Sequence, residues 1–278
     1  MENNSTVLTD RDFLVLKSKI FKDTTLDCHQ YKDNYLKRRI GVRMRSVGVE
    51  TYRNYFSILE RNKEEYKKLL NDITINVTHF FRDPEAFRVL EDEVFPIMIY
   101  NKVKKGRRVI RLWSAGCSSG EEPYTLAIII RELIEDQLDN FILSIQGTDV
   151  DKNILNAARR GTYLPRQMEF MPPLFLRKYF TFDGELYHIG NDIKDMVRFK
   201  SHDLFKDRKG ANFDVILCRN VVIYFTKEMQ EILYMGFYDA LNDDGYLVLG
   251  KTETLVGPAR DLFEIVNTRE RIYQKVKK

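Results

Sequence analysis

The sequence predicts an α/β chain: a small all-helical domain first, then a mainly parallel sheet covered by helices on both faces. Three observations carry that prediction. Up to about residue 70, apolar residues recur at helical spacing, as in Phe13, Leu16 and Ile20 and again in Tyr52, Tyr55, Phe56 and Leu59, with no alternating run. From Arg107 onward, short apolar runs alternate with helical stretches: RRVIRLWSAG, PYTLAIIIRELIED, FILSIQGTDV, KNILNAARRG. That rhythm is the mark of right-handed βαβ units. A glycine-bearing turn also stands where the first strand should pass into the first helix.

The segment Tyr31 to Arg45 holds Lys32, Lys37, Arg38, Arg39, Arg43 and Arg45 against one acid, Asp33. Leu36, Ile40, Met44 and Val47 form one apolar stripe, with Arg38 and Arg45 opposite and Lys32, Arg39 and Arg43 along a border. Two readings stand for the outer face: a solvated surface, or a docking face for an acidic partner. After the sheet begins, Met196 to His202, Phe213 to Cys218 and Gly245 to Gly250 read as further strands, and LFEIVNTRERIYQKV as a closing hairpin. Between Gly161 and Met196 three prolines and FTFDGELYHIG interrupt the pattern. There Asp183-Gly184 signals a two-residue hairpin turn, so this is a small β excursion or a decorated loop.

Composition narrows the class. The chain has 278 residues with 44% hydrophobic, 12% aromatic and 31% charged, values of an ordinary globular protein rather than a disordered or fibrous one. The longest apolar stretch, Leu126 to Ile130, is far short of the ~20 residues that span a bilayer. No membrane insertion and no signal peptide are expected. Cys28, Cys117 and Cys218 are widely separated and the four histidines show no metal-ligand spacing, so a reducing cytoplasm and no metal site are expected. A net charge of +4 is too balanced for a surface that tracks nucleic acid.

Four strand ends carry polar groups. In Ser114-Ala-Gly-Cys-Ser-Ser-Gly-Glu-Glu-Pro-Tyr124 the backbone at Gly116 allows close approach of a ligand. The spacing is not that of a dinucleotide or P-loop fingerprint, and Glu121 and Glu122 occupy the helix start that would otherwise take phosphate. Two carboxylates there suit a cationic ligand, or they simply start the helix well ahead of Pro123. Asp149 ends the second strand, where a carboxylate accepts the hydroxyls of a ribose, while Asp151 caps the next helix. Ribose without phosphate points to S-adenosylmethionine. Asp203 and Leu204 end a third strand and suit an adenine amino group and ring. Arg219, Asn220 and Tyr224 follow a buried strand as site residues or as a plain turn. Upstream, Asn76-Val-Thr78-His-Phe-Phe-Arg82-Asp is unusually aromatic for a linker; it packs over the cofactor cleft or serves as a helix-capping connector.

The segments NVTHFFRD (76 to 83), WSAGCSSGEEPYTLA (113 to 127), GTDVDKNILNAARRGTY (147 to 163), FDVILCRNVVIYF (213 to 225) and GYLVLGKTE (245 to 253), with the basic LKRRIGVRMRSVG, resemble the chemotaxis receptor methyltransferase (CheR) family over essentially the whole chain. The resemblance implies a Rossmann-like class I methyltransferase domain at 91–278, with a small β-subdomain about 168–197. It also implies an all-α domain at 1–74 and a linker at 75–90 that contributes to the cofactor site. It implies methyl transfer from S-adenosylmethionine to glutamate side chains on the cytoplasmic helices of chemoreceptors, leaving S-adenosylhomocysteine. By position, Asn76, Thr78, Arg82, Gly116, Glu122, Asp149, Asp203, Leu204, Arg219 and Asn220 match cofactor contacts, and Arg82, Arg219 and Tyr224 the catalytic set. Asp203 stands where the family usually has Asn, which puts that adenine hydrogen bond in doubt. The first and fourth strands neighbour each other in such a topology, which places Cys117 near Cys218, both as free thiols.

The chemistry is consistent. A glutamate with an ordinary pKa near ~4.3 is already anionic at neutral pH, so no general base is needed. Alignment is what remains, worth up to ~7–11 kcal/mol. Lys32, Arg38, Arg39, Arg43 and Arg45 then become receptor-docking residues, with Arg82 or Arg219 orienting the acceptor carboxylate. A monomer acting in the cytoplasm without nucleic acid is expected. The short hairpin favours recognition without a receptor C-terminal tether. Two other functions compete: a non-catalytic S-adenosylmethionine-sensing module, and an RNA methyltransferase using the same cationic face, which the lack of basic–aromatic interleaving disfavours.

Overall fold

The computed structural model describes residues 10–24, 26–74, 77–135 and 140–276. The chain divides into two compact units, Met1–Asn76 with Tyr224–Met229, and Val77–Ile223 with Gln230–Lys278.

The first unit is helical: α1 (Asp10–Thr24), α2 (Asp33–Ser46), α3 (Tyr52–Arg61) and α4 (Lys63–Ile73). Its core is the apolar stripes seen in the sequence, with Phe13, Leu16, Ile20, Leu36, Ile40, Met44, Tyr55 and Leu59 all buried. Side-chain caps set the borders. Thr51 accepts from the Asn54 amide at 3.2 Å to start α3, and Asn62 accepts from Glu64 and Glu65 at 3.1 and 3.0 Å to start α4.

The second unit begins with α5 (Pro84–Val89), which passes through a wider π-turn at Leu90–Val94 into α6 (Phe95–Lys104). Pro96 in the first turn of α6 has no N–H, so the regular bonding ladder cannot run through this point. Then come β1 (Val109–Ala115), α7 (Glu121–Leu133), β2 (Ile142–Asp149), α8 (Lys152–Arg160), β3 (Thr162–Tyr163), α9 (Pro173–Tyr179), β4 (Phe180–Phe182), β5 (Tyr187–Ile189), α10 (Asn191–Lys194), β6 (Val197–Ser201), β7 (Phe213–Cys218), α11 (Lys227–Ala240), β8 (Leu241–Leu249), β9 (Phe263–Asn267) and β10 (Ile272–Lys275).

Seven strands form one sheet in the order β6-β2-β1-β7-β8-β10-β9. The first five are parallel, and β10 and β9 complete the sheet antiparallel, as the closing hairpin required. Strand order reverses between β1 and β7, and in open sheets of this kind the ligand crevice lies at the carboxyl ends beside that point. β8 starts earlier than the sequence suggested. The polar Asn-Asp-Asp-Gly reads as a turn but is carried in the strand by a bulge, the register shifting between Phe213 and Val215.

A second sheet, β3-β5-β4, is the small β excursion. Its first strand lies upstream of the 168–197 span because Thr162-Tyr163 is too short to show alternation. The hairpin turn sits one residue later than expected: Asp183 N–H bonds to Leu186 O at 3.2 Å, leaving Gly184 (φ 105°) and Glu185 as the central pair. Cys117 and Cys218 stand at the carboxyl ends of the paired strands β1 and β7, and both are buried free thiols. No described helix is long and apolar enough to cross a membrane.

Candidate functional site

The turn from β1 to α7 is built on the end of β2. The amides of Gly116 and Cys117 both donate to Thr148 O at 2.8 Å, and the Ser118 amide donates to Asp149 Oδ2 at 2.9 Å. Gly116 has φ +84°, and a Cβ there would lie 2.5 Å from Val221 Cγ2. Glycine is therefore required twice over, by conformation and by the close passage of the loop after β7.

Asp149 is half-buried at the carboxyl end of β2, with Oδ1 accepting from the Asp151 amide at 3.0 Å. Burial pushes its pKa up to about 6, against the pull of the two amides. Glu122, in the first turn of α7, accepts from Ser114 Oγ at 2.7 Å and faces Arg219 Nη1 at 3.4 Å. Burial raises its pKa and the guanidinium opposes the rise. Its neighbour Glu121 does not share the cleft. Consecutive helix residues point ~100° apart, and the fully buried Glu121 carboxylate takes Ser119 Oγ at 2.9 and 2.7 Å and the Gln167 side-chain amide. The expectation that both acids face a cation is thus corrected to Glu122 alone.

Arg219 is also corrected. Its side chain is 3% exposed, with both terminal nitrogens engaged: Nη2 donates to Asp83 Oδ2 at 2.8 Å and to the Arg82 carbonyl at 2.9 Å, Nη1 points toward Glu122, and the guanidinium lies 5.1 Å from the Phe87 ring. Two carboxylates already hold it, so it braces the rim rather than waiting for a third. Arg82 is half-buried, with Nη1 donating to Val77 O at 2.9 Å. The aromatic linker packs inward: Phe80 lies edge-on to Tyr163 and Phe180, and Phe81 against Phe87 and Phe175. Thr78 is half-buried just before them; Asn76 lies outside the described residues.

Asp203 caps its own turn, with Oδ1 accepting from Phe205 and Lys206 amides at 2.9 and 3.2 Å; Leu204 is buried. A carboxylate so used has no N–H to offer an adenine ring. Asn220 adopts φ +60° and its amide donates to Glu253 Oε2 at 3.1 Å. Asp83 (φ 57°), Ser118 (φ 49°) and Asn220 are left-handed without being glycine, each bonded into this same rim. Strain collected in this way marks functional sites. Sequence reasoning passed over Asp83 and Glu253. The available signals differed: Asp83 is an acid next to Pro84, and Glu253 is an acid just past the end of the buried β8.

In the helical unit, Tyr224 packs on Tyr35 at 4.6 Å and its carbonyl accepts from the Lys32 amide at 2.9 Å. Among the docking candidates, Lys32, Arg38 and Arg45 are exposed, and Arg39 lies half-buried over the Tyr35 ring. Arg43 departs from the set. It bonds the buried Glu65 at 3.0 and 2.6 Å, with Asp72 at 3.6 Å, because its position on the stripe's border turns it toward α4.

The residues fit an adenosyl sulfonium. The described cleft offers carboxylates and no phosphate-binding lysine in the turn. Ser118 Oγ and Arg219 Nε are buried polar atoms without a hydrogen-bond partner among the described residues.

Comparison with known proteins agrees. Residues 76–272 match the family model described as CheR methyltransferase, SAM binding domain, and residues 11–74 the one described as CheR methyltransferase, all-alpha domain. The chain is 36% identical over 250 residues to a chemotaxis protein methyltransferase of Listeria innocua, covering 90% of this chain and 92% of the relative. It is 30% identical to the one of Borreliella burgdorferi, covering 86% of each, and 28% identical to the one of Salmonella typhimurium, covering 91% and 87%.

Proposed function

Because the chain belongs to the CheR methyltransferase family, we propose that it methylates glutamate side chains on the cytoplasmic helices of chemotaxis receptors, forming methyl esters. It is an S-adenosylmethionine-dependent methyltransferase with a chemoreceptor substrate. The bound cofactor supplies an electrophilic methyl group on a sulfonium.

The observation that carries the reading is Asp149, a carboxylate held by the Ser118 and Asp151 amides at the carboxyl end of β2, the strand next to β1; we assign it to the ribose hydroxyls. Glu122 places negative charge where a sulfonium cation gains from it. Gly116 keeps the turn low, and Leu204 supports an adenine face. Asn220 and Thr78 complete the contacts, with Asn76 assigned by its place in the motif. Arg219 holds the rim, and Arg82 is assigned to the acceptor carboxylate. Tyr224 is assigned by its place in the Arg-Asn-Val-Val-Ile-Tyr run. No residue is asked to remove a proton, since the acceptor is already anionic. Lys32, Arg38, Arg39 and Arg45 serve receptor docking. The chain works as a monomer in the cytoplasm and needs no nucleic acid.

Incubating the purified chain with methyl-labelled cofactor and receptor-containing membranes tests this. Base-labile label on the receptor supports carboxyl methylation; label on RNA, or none on receptor, overturns it.

A further inference from the structure

Glu253 is 4% exposed, and its carboxylate accepts three backbone N–H groups: Asn220 at 3.1 Å, Ile223 at 3.1 Å and Gly250 at 2.6 Å. The donors come from two stretches of chain, the loop after β7 and the end of β8. Asn220 is left-handed, a conformation that a residue with a Cβ adopts less freely than glycine, and an outside hold on the loop keeps it there. Gly250 makes room for it, since a Cβ there would lie 2.8 Å from the Asn220 nitrogen and 2.8 Å from Glu253 Oε2. A buried carboxylate facing three donors has no cation to bind. Its chemistry is used up in shaping the loop.

We propose that Glu253 is a positioning residue for methyl transfer, its carboxylate holding the Arg219–Ile223 loop in the conformation that presents Asn220 to the methyl donor. This deepens the methyltransferase reading and rests on it. Glu253→Gln keeps the size of the side chain but turns an NH₂ group toward backbone donors, so at least one of the three bonds is lost.

The test uses the full chain and follows KM for S-adenosylmethionine, Kd for S-adenosylhomocysteine and kcat. E253Q raises KM and Kd at least about 10-fold while kcat at saturation moves less than about 3-fold. A merely loosened fold lowers kcat with the active fraction and leaves KM alone. In a double-mutant cycle the same substitution costs far less when Asn220 is first replaced by Gly, which takes φ +60° freely. An unchanged KM, or equal cost in both backgrounds, overturns the proposal. If E253Q does not fold, hydrogen exchange on the wild-type chain decides: slow exchange at the Asn220, Ile223 and Gly250 amides supports it, and fast exchange at all three overturns it. A wild-type chain that binds no S-adenosylhomocysteine overturns the methyltransferase reading and this assignment together, whereas wild-type binding matched by E253Q overturns this assignment alone.

Discussion

Arg219 donates to Asp83 at 2.8 Å, which ties the loop after β7 to the segment that leads into α5. On its other side the same guanidinium faces Glu122. One cation therefore balances two carboxylates at the rim, and the charge left over for a sulfonium comes from their excess.

Replacing Arg219 by Ala strands two partly buried acids, Asp83 and Glu122, with side-chain exposures of 29% and 14%. Breaking a buried pair by removing one partner costs about 3–5 kcal/mol, so denaturant unfolding of R219A shows a loss of that order. A lysine cannot reach both acids and recovers only part of it. Unchanged stability in R219A would return Arg219 to a purely acceptor-facing role.

Asp149 is expected to tie cofactor affinity to pH. Its folded pKa is raised from 3.8 to about 6, so the carboxyl stabilises the fold at low pH and that contribution disappears as the pH rises through about 6. Binding runs the other way, because the ionised form is the better acceptor. Calorimetry with S-adenosylhomocysteine shows affinity falling between pH 7.5 and 5. Charged hydrogen bonds are worth about 1.5–3 kcal/mol, so D149N binds roughly 10- to 100-fold more weakly at pH 7.5. Its pH dependence flattens.

At Gly116 an alanine meets both a positive φ and the Val221 side chain. G116A destabilises the chain by about 2–3 kcal/mol and weakens cofactor binding. V221A removes the clash but not the backbone penalty of about 1 kcal/mol, so the double variant recovers part of the loss in thermal unfolding. No recovery would place the conflict elsewhere.

On α2 two kinds of arginine should separate. Charge reversal of the exposed Arg38 and Arg45 raises KM for receptor methylation about 10-fold or more at low salt, less at high salt, with cofactor affinity and melting temperature unchanged. R43A instead leaves the buried Glu65 without its cation, with the Tyr55 hydroxyl still donating to it, and lowers stability by about 3 kcal/mol. Equal loss of cofactor binding and methylation in the Arg38/Arg45 variant would count against docking.

The order of residues was enough to determine the α-then-α/β architecture, the places of Gly116, Asp149 and Asn220 at strand ends, the stripe on α2 and the free cysteines. Each of these depends on local period or on a residue type that only one backbone geometry tolerates. It did not separate Glu121 from Glu122, or Arg43 from Arg38, and it overlooked Glu253 and Asp83. What a carboxylate or guanidinium does is settled by which distant atoms share its low-dielectric surroundings: Gln167 for Glu121, Arg219 for Glu122, Glu65 for Arg43, the amides of Asn220 and Ile223 for Glu253. Those partners are brought together by the closing of the sheet and the packing of helices. Only tertiary structure could decide them, because Coulomb and hydrogen-bond energies follow separation in space rather than along the chain.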